Sequence, residues 1–218
     1  MLTLAEENYL KAIISISLHT DKNVSTNEIS KETNTSAASV SDMMRKLEEK
    51  KLITHKKYKG VTLTKKGRKK AINILRKHRL WETFLFHYLD FDWGEVHEIA
   101  EQLEHIQSQK LTNKLDEFLN FPKFDPHGEP IPSINGKIEK INTQPLSKLQ
   151  EGENGIVMGV NIDNKPFLDY LTALKIQIGS QVTVIKHIPF DKSINIKINK
   201  LTQHLSNEAA KHILIKKE

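Results

Sequence analysis

Residues 121–136, FPKFDPHGEPIPSING, carry four prolines and two glycines. Proline lacks the backbone donor a helix interior needs and disfavours the helical conformation of the residue before it. No helix crosses this stretch, so it forms an ordered turn or a linker. It also divides the chain into parts whose apolar residues repeat with different periods. Leu4, Tyr9, Leu10, Ile13, Ile14 and Ile16 fall at helical spacing over residues 3–19. Beyond the break, Ile194, Ile196 and Ile198 alternate strictly with polar residues, and glycines at 152, 155, 159 and 179 punctuate short apolar stretches. That is strand texture. The expectation is a mainly α chain with a small β domain, and residues 143–218 are read as a small β-barrel.

The helical part has internal order. Ser25 or Thr26 starts a short helix containing Glu28 and Ile29, and Asn34-Thr35-Ser36 interrupts it. A second helix runs through Ala38, Val40, Met43, Met44 and Leu47 to about residue 51, completing a helix-turn-helix. Leu52-Ile53-Thr54 and Val61-Thr62-Leu63 then form a hairpin, a wing whose tip holds Lys56, Lys57, Tyr58, Lys59 and Gly60. Further helices are expected from Thr64 to about Tyr88, from Trp93 to about Gln107, and from Gln109 to Leu119.

Charge follows the same division. The chain has a net charge of +6, but residues 1–79 hold 18 basic and 8 acidic side chains, whereas residues 80–218 hold 15 and 19. A basic head on an acidic body is the footprint of a phosphate-backbone binder. A recognition helix needs small and polar side chains at its N-terminal end, where they meet base edges. Ser36, Ala37, Ala38, Ser39 and Asp42 occupy that end here, and Lys56, Lys57 and Lys59 of the wing are positioned for phosphates.

A second constellation carries hard ligands. His78 and Glu82 lie at i, i+4; His97, Glu101, Glu104 and His105 lie at i, i+4, i+7 and i+8 on the next helix. Facing each other, the two helices bring three imidazoles and three carboxylates to one volume. With no cysteine in the chain, that donor set suits Mn²⁺, Fe²⁺ or Zn²⁺. The histidines at 19, 55, 87, 127, 187, 204 and 212 have no comparable partners and are read as structural or solvated.

These segments also carry a resemblance. EENYLKAI, TSAASVSDMMRKLEEKKLI, LTKKGRKKAINILRKHRLWE, the run from Trp93 to His105, and DPHGEPIP occur in the order found in iron- and manganese-dependent repressors of the diphtheria toxin repressor and manganese transport regulator type. The chain resembles that family over essentially its whole length. The resemblance implies a winged helix-turn-helix in 1–75, a helical metal-binding and dimerisation domain in 76–142, and an SH3-like (FeoA-like) domain in 143–218. It implies a primary metal site of Asn8, Glu101, Glu104 and His105 and an ancillary site of His78, Glu82 and His97. Mn²⁺ is the expected metal and Fe²⁺ the alternative; double-stranded operator DNA and a second copy of the chain are the expected partners. Glu101 stands where the iron-responsive branch has Cys, which points to the harder, manganese-type site, and two further positions depart from the pattern. Asn8 stands where family members place Asp or Met, and Lys11 where some place a further carboxylate, which argues against a closely spaced metal pair. Asp163 and Asp169 are candidate contributors from the C-terminal domain.

Other function classes fare less well. A helical metalloenzyme would leave the basic head without a purpose, and there is no Ser/His/Asp arrangement or phosphate-cradling glycine loop. A DNA binder with a purely structural metal is the other alternative. No apolar run approaches the roughly 20 residues of a membrane span, and the N-terminus lacks the pattern of a signal peptide. The expected compartment is the cytoplasm.

Overall fold

The computed structural model describes residues 2–20, 23–56, 59–139, 142–162, 164–198 and 201–218. The head begins with helix α1 (Leu4–His19), followed by α2 (Thr26–Glu32) and α3 (Ala37–Glu49). A capping box starts α1: Glu6 N–H donates to Thr3 Oγ1 at 3.2 Å, and Thr3 N–H donates to Glu6 Oε2 at 2.9 Å. Ser25 and Glu28 make the same box at α2, and Ser36 caps α3. The turn between α2 and α3 is held from α1, because the Tyr9 hydroxyl lies 2.7 Å from Thr35 Oγ1. Strands β1 (Ile53–Lys56) and β2 (Gly60–Leu63) form the wing as an antiparallel pair, with Lys56 opposite Gly60. Val24 adds a bridge to Val61 on the far side of β2. Lys57 and Tyr58 at the tip lie outside the described residues.

Helix α4 (Lys65–Tyr88) runs unbroken from the wing into the body of the molecule. Its first half closes the head core, with Ala71, Ile74 and Leu75 packed among Leu10, Ile13, Val40 and Met44. Its second half packs against α5 (Val96–Leu103) and α6 (Gln109–Phe118). The helix expected over 93–107 is therefore shorter at both ends. Trp93, Gly94 and Glu95 form a turn, with Glu95 N–H donating to Asp92 O. At the other end Ile106 N–H donates to Leu103 O, a tight i, i+3 closure that ends the helix before His105.

The C-terminal unit contains β3 (Gln144–Pro145), β4 (Asn154–Val160), α7 (Lys165–Ala173), β5 (Gln181–His187), β6 (Ile194–Ile198), β7 (Leu201–Leu205), α8 (Asn207–His212) and β8 (Ile213–Lys217). The six strands pair in the order β3-β8-β4-β5-β6-β7, and each pairing is antiparallel. The expected barrel is not closed. Among the described residues β3 and β7 are opposite edges of one sheet, and β3 is only two residues long, too short to reach around. The inward sides of the strands, with Val157, Val182, Val184, Ile196 and Ile215, form a separate core.

Two backbone approaches fix how the parts meet. A Cβ on Gly67 would lie 1.8 Å from Leu52 O, so the first turn of α4 sits directly on the chain leaving α3. In the proline-rich segment, a Cβ on Gly128 would lie 1.6 Å from Met158 O, and Val160 N–H of β4 donates to His127 O at 3.2 Å. The segment is thus an ordered turn clasped by the sheet. Alanine favours helices over glycine by about 1 kcal/mol, but the clash at residue 67 is with backbone and cannot relax by a rotamer change. Gly67→Ala is expected to destabilise the chain by roughly 1–3 kcal/mol. Denaturant unfolding checks this, and an equal or higher stability would contradict the packing described.

Candidate metal centre and nucleic-acid interface

Buried acidic and imidazole groups collect where α1, α4 and α5 meet. His78 and Glu82 are one turn apart on α4, with His78 Nε2 2.9 Å from Glu82 Oε1. From α5, His97 Nδ1 lies 3.2 Å from His78 Nε2 and 3.3 Å from Glu82 Oε1. On the opposite edge of the His78 ring, Nδ1 is 2.6 Å from Glu104 Oε2. His78 therefore links two ligand sets that the resemblance treats as separate sites. His78, His97 and Glu101 offer ligand atoms all within 4.8 Å of one another.

Helix α1 supplies the third wall. Lys11 Nζ pairs with Glu101 Oε1, lies 2.7 Å from Glu104 Oε2 and is 3.3 Å from His78 Nδ1. Glu7 approaches His105, with His105 Nδ1 2.7 Å from Glu7 Oε2, and Gln107 Nε2 donates to Glu7 Oε1 at 2.9 Å. Sequence reasoning passed over Glu7 because only its neighbour Asn8 matched a family position. Asn8 itself contributes a buried amide oxygen with no hydrogen-bond partner among the described residues.

A further group comes from the proline-rich turn. His127 is buried, stacks on Trp93 with ring centroids 5.9 Å apart, and brings Nε2 to 3.8 Å from Glu82 Oε1. Neither of its ring nitrogens makes a hydrogen bond among the described residues. Asp125, two residues earlier, is also buried and faces Arg79, which pairs in turn with Glu129. Of the two readings the sequence left for His127, structural or solvated, its burial excludes the solvated one. The sequence signal for this placement is the pairing of Asp125 and His127 in DPHGEPIP. Asp169 is exposed on α7, 4.0 Å from Lys165, and Asp163 lies outside the described residues.

The electrostatics follow from burial. The Glu104 side chain is 0% exposed and that of Glu82 3%. Desolvation acts to raise the Glu82 pKa, but the charge of His78 and hydrogen bonds from His78 and His97 hold it well below the usual carboxylate range. Burial also opposes charge on His78, yet Glu82 and the bond to Glu104 outweigh it and push its pKa up to about 9. Asp125 is pushed up to about 6 by burial and by the charge of Glu82, against the pull of Arg79 and His127.

Four buried atoms of ligand type, Asn8 Oδ1, Glu104 Oε1 and both His127 nitrogens, make no hydrogen bond among the described residues. Buried polar atoms are ordinarily satisfied. All four belong to the ligand classes a hard or borderline divalent cation takes, and all lie in or beside the carboxylate–imidazole cluster. The residues present fit a metal ion.

On the head, Ser36, Ala37, Ala38 and Ser39 are exposed at the start of α3. Ser36 Oγ accepts from Ser39 N–H at 3.2 Å and lies 2.9 Å from Ser39 Oγ. Asp42 is exposed one turn on, but Arg45 Nη2 is 2.8 Å and Lys46 Nζ 3.5 Å from its carboxylate. Lys56 and Lys59 are exposed on the wing; Lys57 is outside the described residues.

Comparison with known proteins bears on the same regions. Residues 1–61 match the iron dependent repressor N-terminal DNA binding domain, residues 64–133 the iron dependent repressor metal binding and dimerisation domain, and residues 144–217 the FeoA domain. The chain is 36% identical over 99 residues to the iron-dependent repressor IdeR of Mycobacterium tuberculosis, covering 45% of this chain and 43% of that one. The chain thus spans less than half the length of this curated relative. It is 32% identical over 113 residues to an uncharacterized HTH-type transcriptional regulator of Methanocaldococcus jannaschii, covering 52% of this chain and 90% of the relative. Among solved structures, a manganese-dependent transcriptional repressor in complex with manganese is similar at a TM-score of 0.86 and 33% identity, over 98% of this chain and 100% of that one. Two repressor models matching nearly all of residues 1–133, and a full-length structural likeness at one-third identity, lead to one conclusion: this chain belongs to the iron-dependent repressor family.

Proposed function

We propose that the chain is a metal-activated, dimeric, DNA-binding repressor of metal-uptake genes, acting in the cytoplasm. The observation that carries this reading is the set of buried ligand-type atoms that make no hydrogen bond among the described residues, at the junction between the head and the helices behind it. Asn8, Glu101, Glu104, His105 and His78 would hold one cation, and Glu82, His97 and His127 with Asp125 a second. A bound Mn²⁺, or Fe²⁺ as the alternative, supplies positive charge that the buried carboxylates otherwise draw from Lys11 and His78. The all-oxygen-and-nitrogen donor set favours these harder ions over copper(I). The chain's own part is to fasten α1: Glu7, Asn8 and Lys11 face the cluster, while Glu6 and Tyr9 of the same helix hold α3 and its preceding turn. Fixing α1 fixes the recognition helix.

Support for a homodimer comes from an aromatic ladder on the outer side of α4 and α6. Phe84, Tyr88 and Phe118 lie 4.8–5.9 Å apart, and Tyr88 and Phe118 are 51% and 57% exposed beside exposed Leu89 and Phe121. A patch of this kind marks an interface. Two recognition helices held at a fixed distance meet half-sites one helical turn apart or a multiple of it. No helix among the described residues is long and apolar enough to cross a membrane.

The decisive experiment is operator binding across a series of divalent metals. Glu104→Gln keeps the shape of the side chain but removes the charge at the centre of the cluster, and is expected to abolish the metal response while circular dichroism stays native. Equal operator affinity in chelator and in excess Mn²⁺ would sink the activation reading.

The wing lysines give a second outcome. Lys56→Ala and Lys59→Ala should each weaken binding to every DNA sequence by a similar factor and lower the salt slope by about one unit. Replacement of Ser39 should change the ranking of sequences instead. Wing variants that altered ranking and left the slope intact would reverse these roles.

Metal affinity should also depend on pH. Ligation needs neutral imidazole, and the metal-free His78 stays protonated up to about pH 9. Between pH 7 and 9 the affinity should therefore rise with pH, by about tenfold per unit for one displaced proton, and level off above. Calorimetry in buffers of different ionisation enthalpy reads the released proton; a flat profile would mean that His78 gives none up.

A further inference from the structure

Among the described residues, Lys11 brings a basic side chain from the head into the carboxylate cluster, and it is an unusual group to find there. Its side chain is 10% exposed, and its ammonium lies among Glu101 Oε1, Glu104 Oε2 at 2.7 Å and His78 Nδ1 at 3.3 Å. These belong to the same three side chains assigned above to a cation. Two carboxylates this close to each other are not left without a positive charge, because an unpaired buried charge costs several kcal/mol.

We infer that Lys11 is a tethered competitor for the metal: its ammonium occupies the cation position of the metal-free chain, and a divalent ion enters by displacing it. This rests on the reading of Glu101, Glu104 and His78 as ligands. An ammonium and a divalent ion cannot share the Glu101 and Glu104 oxygens, since both would be in direct contact with the same atoms and would repel each other strongly at that distance. Displacement is sterically open. A cavity of about 1430 Å³ runs past Asn8, Lys11, Ala12 and Ser15, and a four-carbon lysine stem can swing into it. Asn8, three residues before Lys11 on α1, keeps a buried amide oxygen without a partner on the same helix. Loss of the lysine tether therefore leaves α1 with a second group able to engage a cation. The metal concentration at which the chain responds is then set by the strength of the internal ion pair as well as by the ligands.

The test uses the full chain. Amine-reactive footprinting read by mass spectrometry should find Lys11 protected in chelator and labelled several-fold more in saturating Mn²⁺. Calorimetry should find that Lys11→Met binds Mn²⁺ about tenfold more tightly, and melts at lower temperature in chelator but not with metal. A lysine that merely supports the fold would stay protected in both states, and its loss would leave affinity unchanged or weaker; either result overturns competition while leaving the metal reading intact. If the variant does not fold, the footprint of the unaltered chain decides alone. Failure of the unaltered chain to bind Mn²⁺ would overturn the metal reading and competition together.

Discussion

Two carboxylates, Glu82 and Glu104, are almost wholly withdrawn from water, and the arrangement around them follows from that. An ionised carboxylate in a low-dielectric interior is tolerated only with charge and hydrogen bonds supplied by the protein. Here the compensation comes from several directions. His78 bridges the two, His97 approaches from α5, His127 from the proline-rich turn and Lys11 from the head. Each group belongs to a different element, so satisfying the two carboxylates requires the elements to be assembled together. The cluster is a structural centre before it is a binding site.

Helix α1 is the element that links the cluster to the helix-turn-helix. Its side chains serve two directions within two turns. Glu6 takes Lys50 at the end of α3 at 2.6 Å, and Tyr9 reaches the turn before α3. Glu7 and Lys11 reach His105, Glu101 and Glu104. Removing one partner of a buried charge pair costs about 3–5 kcal/mol, whereas a net change of about 1.4 kcal/mol alters an equilibrium tenfold. A rearrangement among a few contacts on one helix is therefore large enough to move the position of the recognition helix.

What was legible in the sequence depended on how local each relationship is. The helical head, the wing, and the pairing of His78 with Glu82 rest on spacings within one element, and the structure contains them as expected. The same holds for the alternating strands, though not for closure into a barrel, which depends on how far the shortest strand, β3, extends around the sheet. Residues Glu104 and His105 were expected at i+7 and i+8 of a continuous helix; they stand beyond its end, where a tightened last turn turns them toward Glu7 and Lys11. The placement of His127 beside Glu82 joins residues 45 positions apart through a turn whose conformation is set by β4, and no periodicity reports that. Lys11 was visible as a departure from a pattern, but its position among the acidic groups arises from the docking of α1 on α4 and α5.

The clasp between Gly128 and β4 has a consequence in the order of assembly. A chain made from its N-terminus forms α1, α2, α3, the wing and α4 from mainly local contacts, and such contacts form quickly. The turn that carries His127 must wait for residues 158–160, because the Val160 amide and the Met158 carbonyl define its position. The head of a nascent chain can thus pack well before the last imidazole reaches the buried carboxylates. The C-terminal sheet thus sets when the last imidazole reaches the buried carboxylates, after the contacts within the head can already have formed.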